Sequence, residues 1–346
     1  MKVLIVGAGV TGVCLAHEFL QHGASVKVID SGQNVSSIVA AGLMTPLVFR
    51  RMTLSWRIAE MLPFAQNTYR KIEEITHSNF FHNVAMRRFF ASEQEREFWL
   101  EKQEQTAYQP YMEKLTDEDL RFPSSKNNFG TARVKNVFWV DTSAFLNKNY
   151  AYFNSIGVFE KKLFNYNDLD PETATFEGET YDFVLFAEGK DALKNPYFSY
   201  LPINPTKGEV LTIQSDEIPE NESLNRKCFL LPVGGNQFKV GSTYVWQTDD
   251  TSPTDVGKNE ICENLTSIVD VPYKIVEHTA GVRPTVLDRR PLMGKHSTYP
   301  KLVVANGLGT KGYLIAPLLV HELVDHLLNN NPLNKEIEIA RLKAKN

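Results

Sequence analysis

The residues of this chain best suited to chemistry begin at position 7, where Gly7-Ala8-Gly9-Val10-Thr11-Gly12 fits a G-x-G-x-x-G pattern directly after the apolar run Val3 to Val6. At that spacing the first glycine permits a tight turn, the second lets a pyrophosphate approach the backbone, and the third lets a helix pack on a strand. The helix that follows would meet the phosphates with unpaired N–H groups and the positive end of its dipole. Asp30 stands about 20 residues further on, where a carboxylate accepts hydrogen bonds from ribose hydroxyls. An acid there favours an unphosphorylated ribose, hence FAD or NAD over NADP. A glycine turn serving packing alone is the competing reading, and the strand, helix and acid together decide for a dinucleotide.

Three further groups carry chemical potential. Ser36-Ser37-Ile38-Val39-Ala40-Ala41-Gly42-Leu43 supplies small side chains that let backbone come close to a phosphate or an isoalloxazine ring, although an ordinary small-residue loop reads the same. Gly307-Leu308-Gly309-Thr310-Lys311-Gly312 is a glycine-rich loop feeding a helix, with Pro317 in its first part. That makes a second anion site, suited to the negative charge a reduced flavin carries around N1 and C2=O; a plain helix cap is the alternative. Arg283, between Gly281 and Pro284, offers the planar fork that grips a carboxylate, unless it serves an interdomain ion pair.

The pattern around these groups predicts the elements that position them. Val3 to Val6, a helix over Val10 to His22 and a strand over Ser25 to Asp30 make a βαβ unit. Helical spacing recurs from Leu54 to Ile75, and the polar stretch Ser92 to Leu120 also reads as helical and solvated. Short strands follow at Val134 to Val140 and Tyr181 to Ala187, with a helix over Thr142 to Ile156 between them. Val210 to Gln214, Lys227 to Leu231 and Gln237 to Tyr244 alternate between Pro and Gly punctuation, which predicts an antiparallel sheet. Lys301 to Ala305 is another compact strand before the last long helix. The fold class expected is α/β: a Rossmann-like, doubly wound parallel sheet that binds FAD, with a discontinuous α+β substrate domain built on the antiparallel sheet. The expected division is 1–76, 134–200 and 281–346 for the cofactor domain, and 77–133 and 201–280 for the substrate domain.

Taken together these segments resemble the D-amino-acid oxidase superfamily of FAD-dependent oxidoreductases, and within it the glycine oxidases. The resemblance runs through nearly the whole chain: VGAGVTG at 6–12, Asp30-Ser31, the SSIVAAGL stretch, DFVLFAEG at 182–189, Lys207-Gly208-Glu209, AGVRP at 280–284, DRRPLMG at 288–294 and NGLGTKGYLIAP at 306–317. It implies that Gly7, Gly9, Val10, Thr11, Gly12, Asp30, Ser31, Ser36, Ser37, Ala41, Gly42 and Leu43 contact FAD. It further implies that the backbone near Phe164 meets the adenine, that Gly189 packs on the dinucleotide, and that Leu308 to Leu314, including Tyr313, surround the flavin. Arg283 is implied to hold a substrate carboxylate, with Tyr244, Phe229 and Lys311 completing the catalytic pocket. The pattern departs where glycine oxidases carry an active-site tyrosine and a second arginine: this chain has Phe229 and Thr310. Related sarcosine oxidases attach flavin through a cysteine in the final loop, whereas Cys14, Cys228 and Cys262 lie elsewhere, so FAD is expected to be non-covalent.

The implied activity is oxidation of the C–N bond of a small amine or amino acid by hydride transfer to flavin N5, with oxygen or a quinone as electron acceptor. Two alternatives stay open: an oxidase of a modified tRNA wobble uridine, and a flavoprotein subunit whose chemistry is altered. Composition fits a globular enzyme of 346 residues, 42% hydrophobic and 23% charged, and a net charge of −4 gives no global attraction for nucleic acid or anionic membrane. The apolar N-terminus is too short for a signal peptide or a span, and three scattered cysteines suit reduced thiols, so a cytoplasmic location is expected. No metal site is expected, since His77 with His82 and His321 with Asp325 lack further ligands. Arg50-Arg51 and Trp56 are candidates for the entrance of the site, or a solvated basic pair. Oligomeric state is not legible.

Overall fold

The unalternating apolar run at the N-terminus becomes a strand, β1 (Lys2–Val6), covered on both faces in the computed structural model, which describes residues 1–33, 35–121 and 124–342, the side chain of Arg50 excepted. In chain order there follow α1 (Val10–Gln21), β2 (Ser25–Asp30), α2 (Ile58–Thr76), β3 (Met86–Phe89), β4 (Thr131–Val134), α3 (Thr142–Ser155), β5 (Phe159–Lys161) and β6 (Phe183–Phe186). The second half adds β7 (Ile203–Gln214), β8 (Ser223–Asn225), β9 (Phe229–Gly234), β10 (Gln237–Gly241), β11 (Val245–Trp246), α4 (Asp255–Leu265), β12 (Lys274–Val286), β13 (Leu292–Lys295), β14 (Leu302–Asn306) and α5 (Gly312–Asn329).

Two large sheets organise these elements. The first has the order β5-β2-β1-β6-β14-β13, parallel except for β13 against β14, and its strands come from the start, the middle and the end of the chain. The helices α1, α2 and α5 pack together on one of its faces around Phe19, Tyr69, Leu319 and Leu323, all fully buried. The second sheet has the order β11-β7-β10-β9-β8-β3-β4, antiparallel except for β8 against β3, with β12 paired along β7. The Rossmann-like parallel sheet and the separate antiparallel sheet are both as the sequence predicts.

Several segments depart from the sequence reading. Leu54 belongs to a short hairpin strand rather than a helix; α2 begins at Ile58, after Arg57 takes a left-handed conformation at φ 48°. The stretch from Ser92 to Leu120 is two short helices, Glu93–Lys102 and Asp117–Leu120, each with a side-chain cap, from Ser92 and Thr116. Between them the chain must turn back so that Tyr111 and Met112 can be buried, Met112 with Trp99 in one apolar cluster, which no continuous helix allows. The thirteen-residue β12 carries no clear alternation and was not legible. Its first four residues are exposed on both faces, and later ones are covered by other elements.

Pro317 sits in the second turn of α5, inside the helix rather than at its tolerated first position. Without an N–H it leaves the Tyr313 carbonyl unpaired within the helix, and the buried Tyr69 hydroxyl of α2 supplies the missing bond at 2.6 Å. Tyr69→Phe is expected to cost about 1–3 kcal/mol of stability by leaving that carbonyl unsatisfied. Combining it with Pro317→Ala, which restores a helical donor, should return part of the loss. Urea unfolding of the wild type, both single variants and the double variant checks this, and strict additivity would contradict the assignment.

Candidate active site

One elongated cavity of about 470 Å³ runs from the glycine loop, past the N-terminus of α5, onto one face of the antiparallel sheet. That volume lies in the range of ligand and cofactor pockets. Its glycine-loop end is shaped by backbone that tolerates no side chain. A Cβ at Gly7, where φ is +101°, would stand 2.5 Å from the Ala187 carbonyl oxygen, and one at Gly12 would stand 1.8 Å from that of Gly7. Gly9 starts α1 without a side-chain cap and no acid sits in the first turn, so the N-terminal N–H groups face the cavity uncompensated, apart from the Val10 N–H, which donates to Ser37 Oγ at 3.1 Å.

The Asp30 carboxylate accepts from the Ala8 and Gly32 N–H groups, each at 2.6 Å, which fixes its orientation and leaves lone pairs for further donors. Ser31, Phe164 and Gly189 line the same end. Beside them the half-buried Glu188 accepts from the Tyr166 hydroxyl at 2.5 Å and the Asn195 amide at 2.8 Å, and desolvation pushes it up to about 7. Sequence reading assigned Glu188 no role of its own, because its tyrosine and asparagine partners lie on either side of it at distances that show no motif.

At the middle of the cavity Ser36, Ser37, Ala41, Gly42 and Leu43 face the loop of Leu308, Gly309, Thr310, Lys311, Gly312, Tyr313 and Leu314. The Tyr313 hydroxyl donates to the Ser37 carbonyl at 2.9 Å and ties the two segments. Lys311 Nζ donates to the Thr45 carbonyl at 3.0 Å and to the Ser55 hydroxyl, and has no acidic partner among the described residues. Burial pushes its ammonium down to about 8. A cation held by neutral oxygens inside a cavity is poised to accept negative charge there.

The other end is a sheet face. Register places Thr279, Val210, Gly241, Phe229 and Asn225 in one row across five strands, and directly opposed residues point to the same side. Arg283 lies on that side too, since it is four residues from Thr279 on β12. Its guanidinium lies over Gly208 of β7, where a Cβ would be 2.0 Å from Nη2. Nη2 donates to Ser242 Oγ at 2.7 Å, and Nη1 makes 3.4 Å contacts to the Lys207 and Thr243 carbonyls. Among the described residues no carboxylate pairs with it. Burial holds this guanidinium below its ordinary pKa, an effect that Tyr244 partly opposes.

All but two of the sequence-derived site residues line this cavity. Gly12 lies behind the loop, where it allows the helix to pack, and Tyr244 is 43% exposed with its ring 4.9 Å from the Arg283 guanidinium, outside the lining. Thr45, Phe49, Asn225 and Ser242 line it and were missed, because cross-strand adjacency leaves no local signal in sequence. Trp56 donates to Glu336 at 3.0 Å and packs under Arg290 at 4.6 Å, away from the cavity lining; the side chain of Arg50 lies outside the described residues. Among the described residues there is no group of metal-ligating side chains, and no helix is long and apolar enough to cross a membrane.

A family model for FAD dependent oxidoreductases matches residues 2–326. The chain belongs to that family. It is 26% identical over 147 residues to glycine oxidase of Bacillus subtilis, a match spanning 40% of each chain, and 23% identical to glycine oxidase of Pseudomonas aeruginosa over 96% of each. The solved structure of glycine oxidase from Geobacillus kaustophilus superposes with a TM-score of 0.79 over 98% of this chain and 97% of that one, at 19% identity, which shows a shared fold. FAD fits the cavity on its own terms: a side-chain-free turn and an open helix N-terminus for the pyrophosphate, and a braced carboxylate for the ribose. Gly12→Ala forces the glycine loop and α1 apart, and is expected to lower bound flavin in purified folded protein by at least about 10-fold. Flavin absorbance per chain measures it, and full flavin content would contradict the close packing.

Proposed function

We propose that this chain oxidises the C–N bond of a small amine or amino acid, with Arg283 holding the substrate carboxylate. The observation that carries the reading is a partly buried guanidinium on the cavity wall whose protein partners are all neutral oxygens. Leaving such a cation without an anion is costly, and a carboxylate that satisfies the free N–H groups recovers the cost on binding. Bound FAD supplies the hydride acceptor, at N5, for the C–H bond next to the amine nitrogen.

The chain's own residues then position and polarise. Arg283 fixes one end of the substrate against the sheet, while Val210 and Phe229 give that face an apolar surface that excludes water from the reacting carbon. Lys311 and the N-terminus of α5 present positive charge to the middle of the cavity and would stabilise the negative charge of a reduced flavin held there. Oxidation of the amine gives an imine that hydrolyses to a keto acid or aldehyde, and the amine needs no protein base if it binds neutral. The absence of an active-site tyrosine at Phe229 and of an arginine at Thr310 makes the pocket less polar than a site shaped for glycine alone. The same reading assigns 1–76, 134–200 and 281–346 to the cofactor domain and 77–133 and 201–280 to the substrate domain; the break at 281 falls inside β12.

Anaerobic mixing of the FAD-loaded protein with amino acids and N-alkyl amines is expected to bleach the flavin with at least one carboxylate-bearing amine. Arg283→Met should raise the KM for that substrate at least about 30-fold, the factor equivalent to ~2 kcal/mol. Gly208→Ala, which pushes the guanidinium from its seat, should raise KM in the same direction while flavin content stays normal. An unchanged KM in Arg283→Met would sink the assignment.

A further inference from the structure

Asn225 lines the cavity at the last position of the sheet row that runs through Val210 and Phe229, and the orientation of its amide is settled by a neighbour. Arg88, on the adjoining strand β3 and directly opposite in register, donates from Nη1 to Asn225 Oδ1 at 2.5 Å. A guanidinium is donor-only, so the oxygen of the amide must face it and the NH2 must face the other way. Arg88 is itself fixed: it is buried, pairs with Glu95 at 2.6 Å, donates to the Arg226 carbonyl and lies against the ring of Phe49 at 4.9 Å. Asn225 and Phe49 both line the cavity, whereas Arg88 stays behind them. Neither N–H of the Asn225 amide has an acceptor among the described residues. The sheet face of the cavity thus carries two sets of unused donors, Arg283 over β7 and Asn225 on β8, with Val210 and Phe229 between them in register.

The separation of the two sets bears on substrate size. The Arg283 guanidinium lies over β7, and Asn225 is on β8, three strand spacings away in the order β7-β10-β9-β8, or roughly 14 Å between backbones. Both side chains shorten that span, yet a two-carbon amino acid cannot bridge it. We infer that Asn225 is a second, specificity-determining anchor, and that the preferred substrate is an elongated amino acid or N-substituted amino acid: a carboxylate on Arg283, an apolar middle over Val210 and Phe229, and a hydrogen-bond acceptor on the Asn225 amide. The inference rests on the reading of Arg283 as the carboxylate site.

Ligand binding to the FAD-loaded protein tests it without turnover. Straight-chain dicarboxylates from butanedioate to decanedioate are compared with monocarboxylates of the same carbon number, the Kd being read from the perturbation of flavin absorbance. The best dicarboxylate should bind about 10-fold more tightly than its monocarboxylate counterpart, as a hydrogen bond to a charged acceptor allows. Asn225→Leu should erase that advantage and leave monocarboxylate binding within about 2-fold. Asn225→Asp, which keeps the bond to Arg88 and so the local fold, should turn the preference toward ω-amino carboxylates, a reversal that a merely structural role for Asn225 would not produce. Equal binding of the two series at every length, or no reversal in Asn225→Asp, overturns the role of Asn225 while leaving Arg283 in place. If no carboxylate perturbs the flavin in either the wild type or Arg283→Met, the carboxylate site falls and this inference with it.

Discussion

The sheet end of the cavity is organised around a guanidinium that the protein partly buries and does not neutralise. Arg283 keeps its place because Gly208 has no side chain, so that the planar head can lie on bare backbone, and because Ser242 and two carbonyls accept from it without cancelling its charge. A partly buried cation with only neutral partners is a standing cost, and proteins tolerate such costs where a ligand removes them. β12 lies along the whole of β7 with Gly281 opposite Gly208, so that Arg283, two residues on and on the same face, can lay its guanidinium over that glycine.

The cofactor end depends on a second constraint, the passage of backbone through places where no Cβ fits. Gly7 against Ala187 and Gly12 against Gly7 bring α1, β1 and the end of β6 into direct contact, and the helix N-terminus is left open as a result. The opposite wall, α5, begins on a glycine-rich loop and carries Pro317 in its second turn, at a position that removes a helical hydrogen bond. Tyr69 makes good that loss and also binds α2 to the helix whose first turn lines the cavity. Stability and cofactor geometry are linked at that single hydroxyl.

Much of the cofactor site was legible in sequence, and for a physical reason. The phosphate-binding turn is local: its glycines, the strand before it and the helix after it lie within a few residues, and Asp30 ends the next strand at a set offset. The family resemblance extended that reading to Arg283 and to the loop at 307–312. What stayed hidden was cross-strand. Asn225, Ser242 and Phe49 meet the cavity only through the register of β7, β10, β9 and β8 and the hairpin before α2, and no spacing in the chain encodes those meetings. Ser92 to Leu120 was misread for the same reason, since the burial of Trp99 and Met112 against distant residues overrode the local helical pattern.

The most direct measurement of the central claim is the crystal structure of the FAD-loaded protein with a small carboxylate bound. The account predicts both carboxylate oxygens on the Arg283 guanidinium, between the sheet face and the flavin ring, with Ser242 still in contact. A carboxylate seated elsewhere, with Arg283 turned to pair with an acidic side chain of the protein, would contradict it.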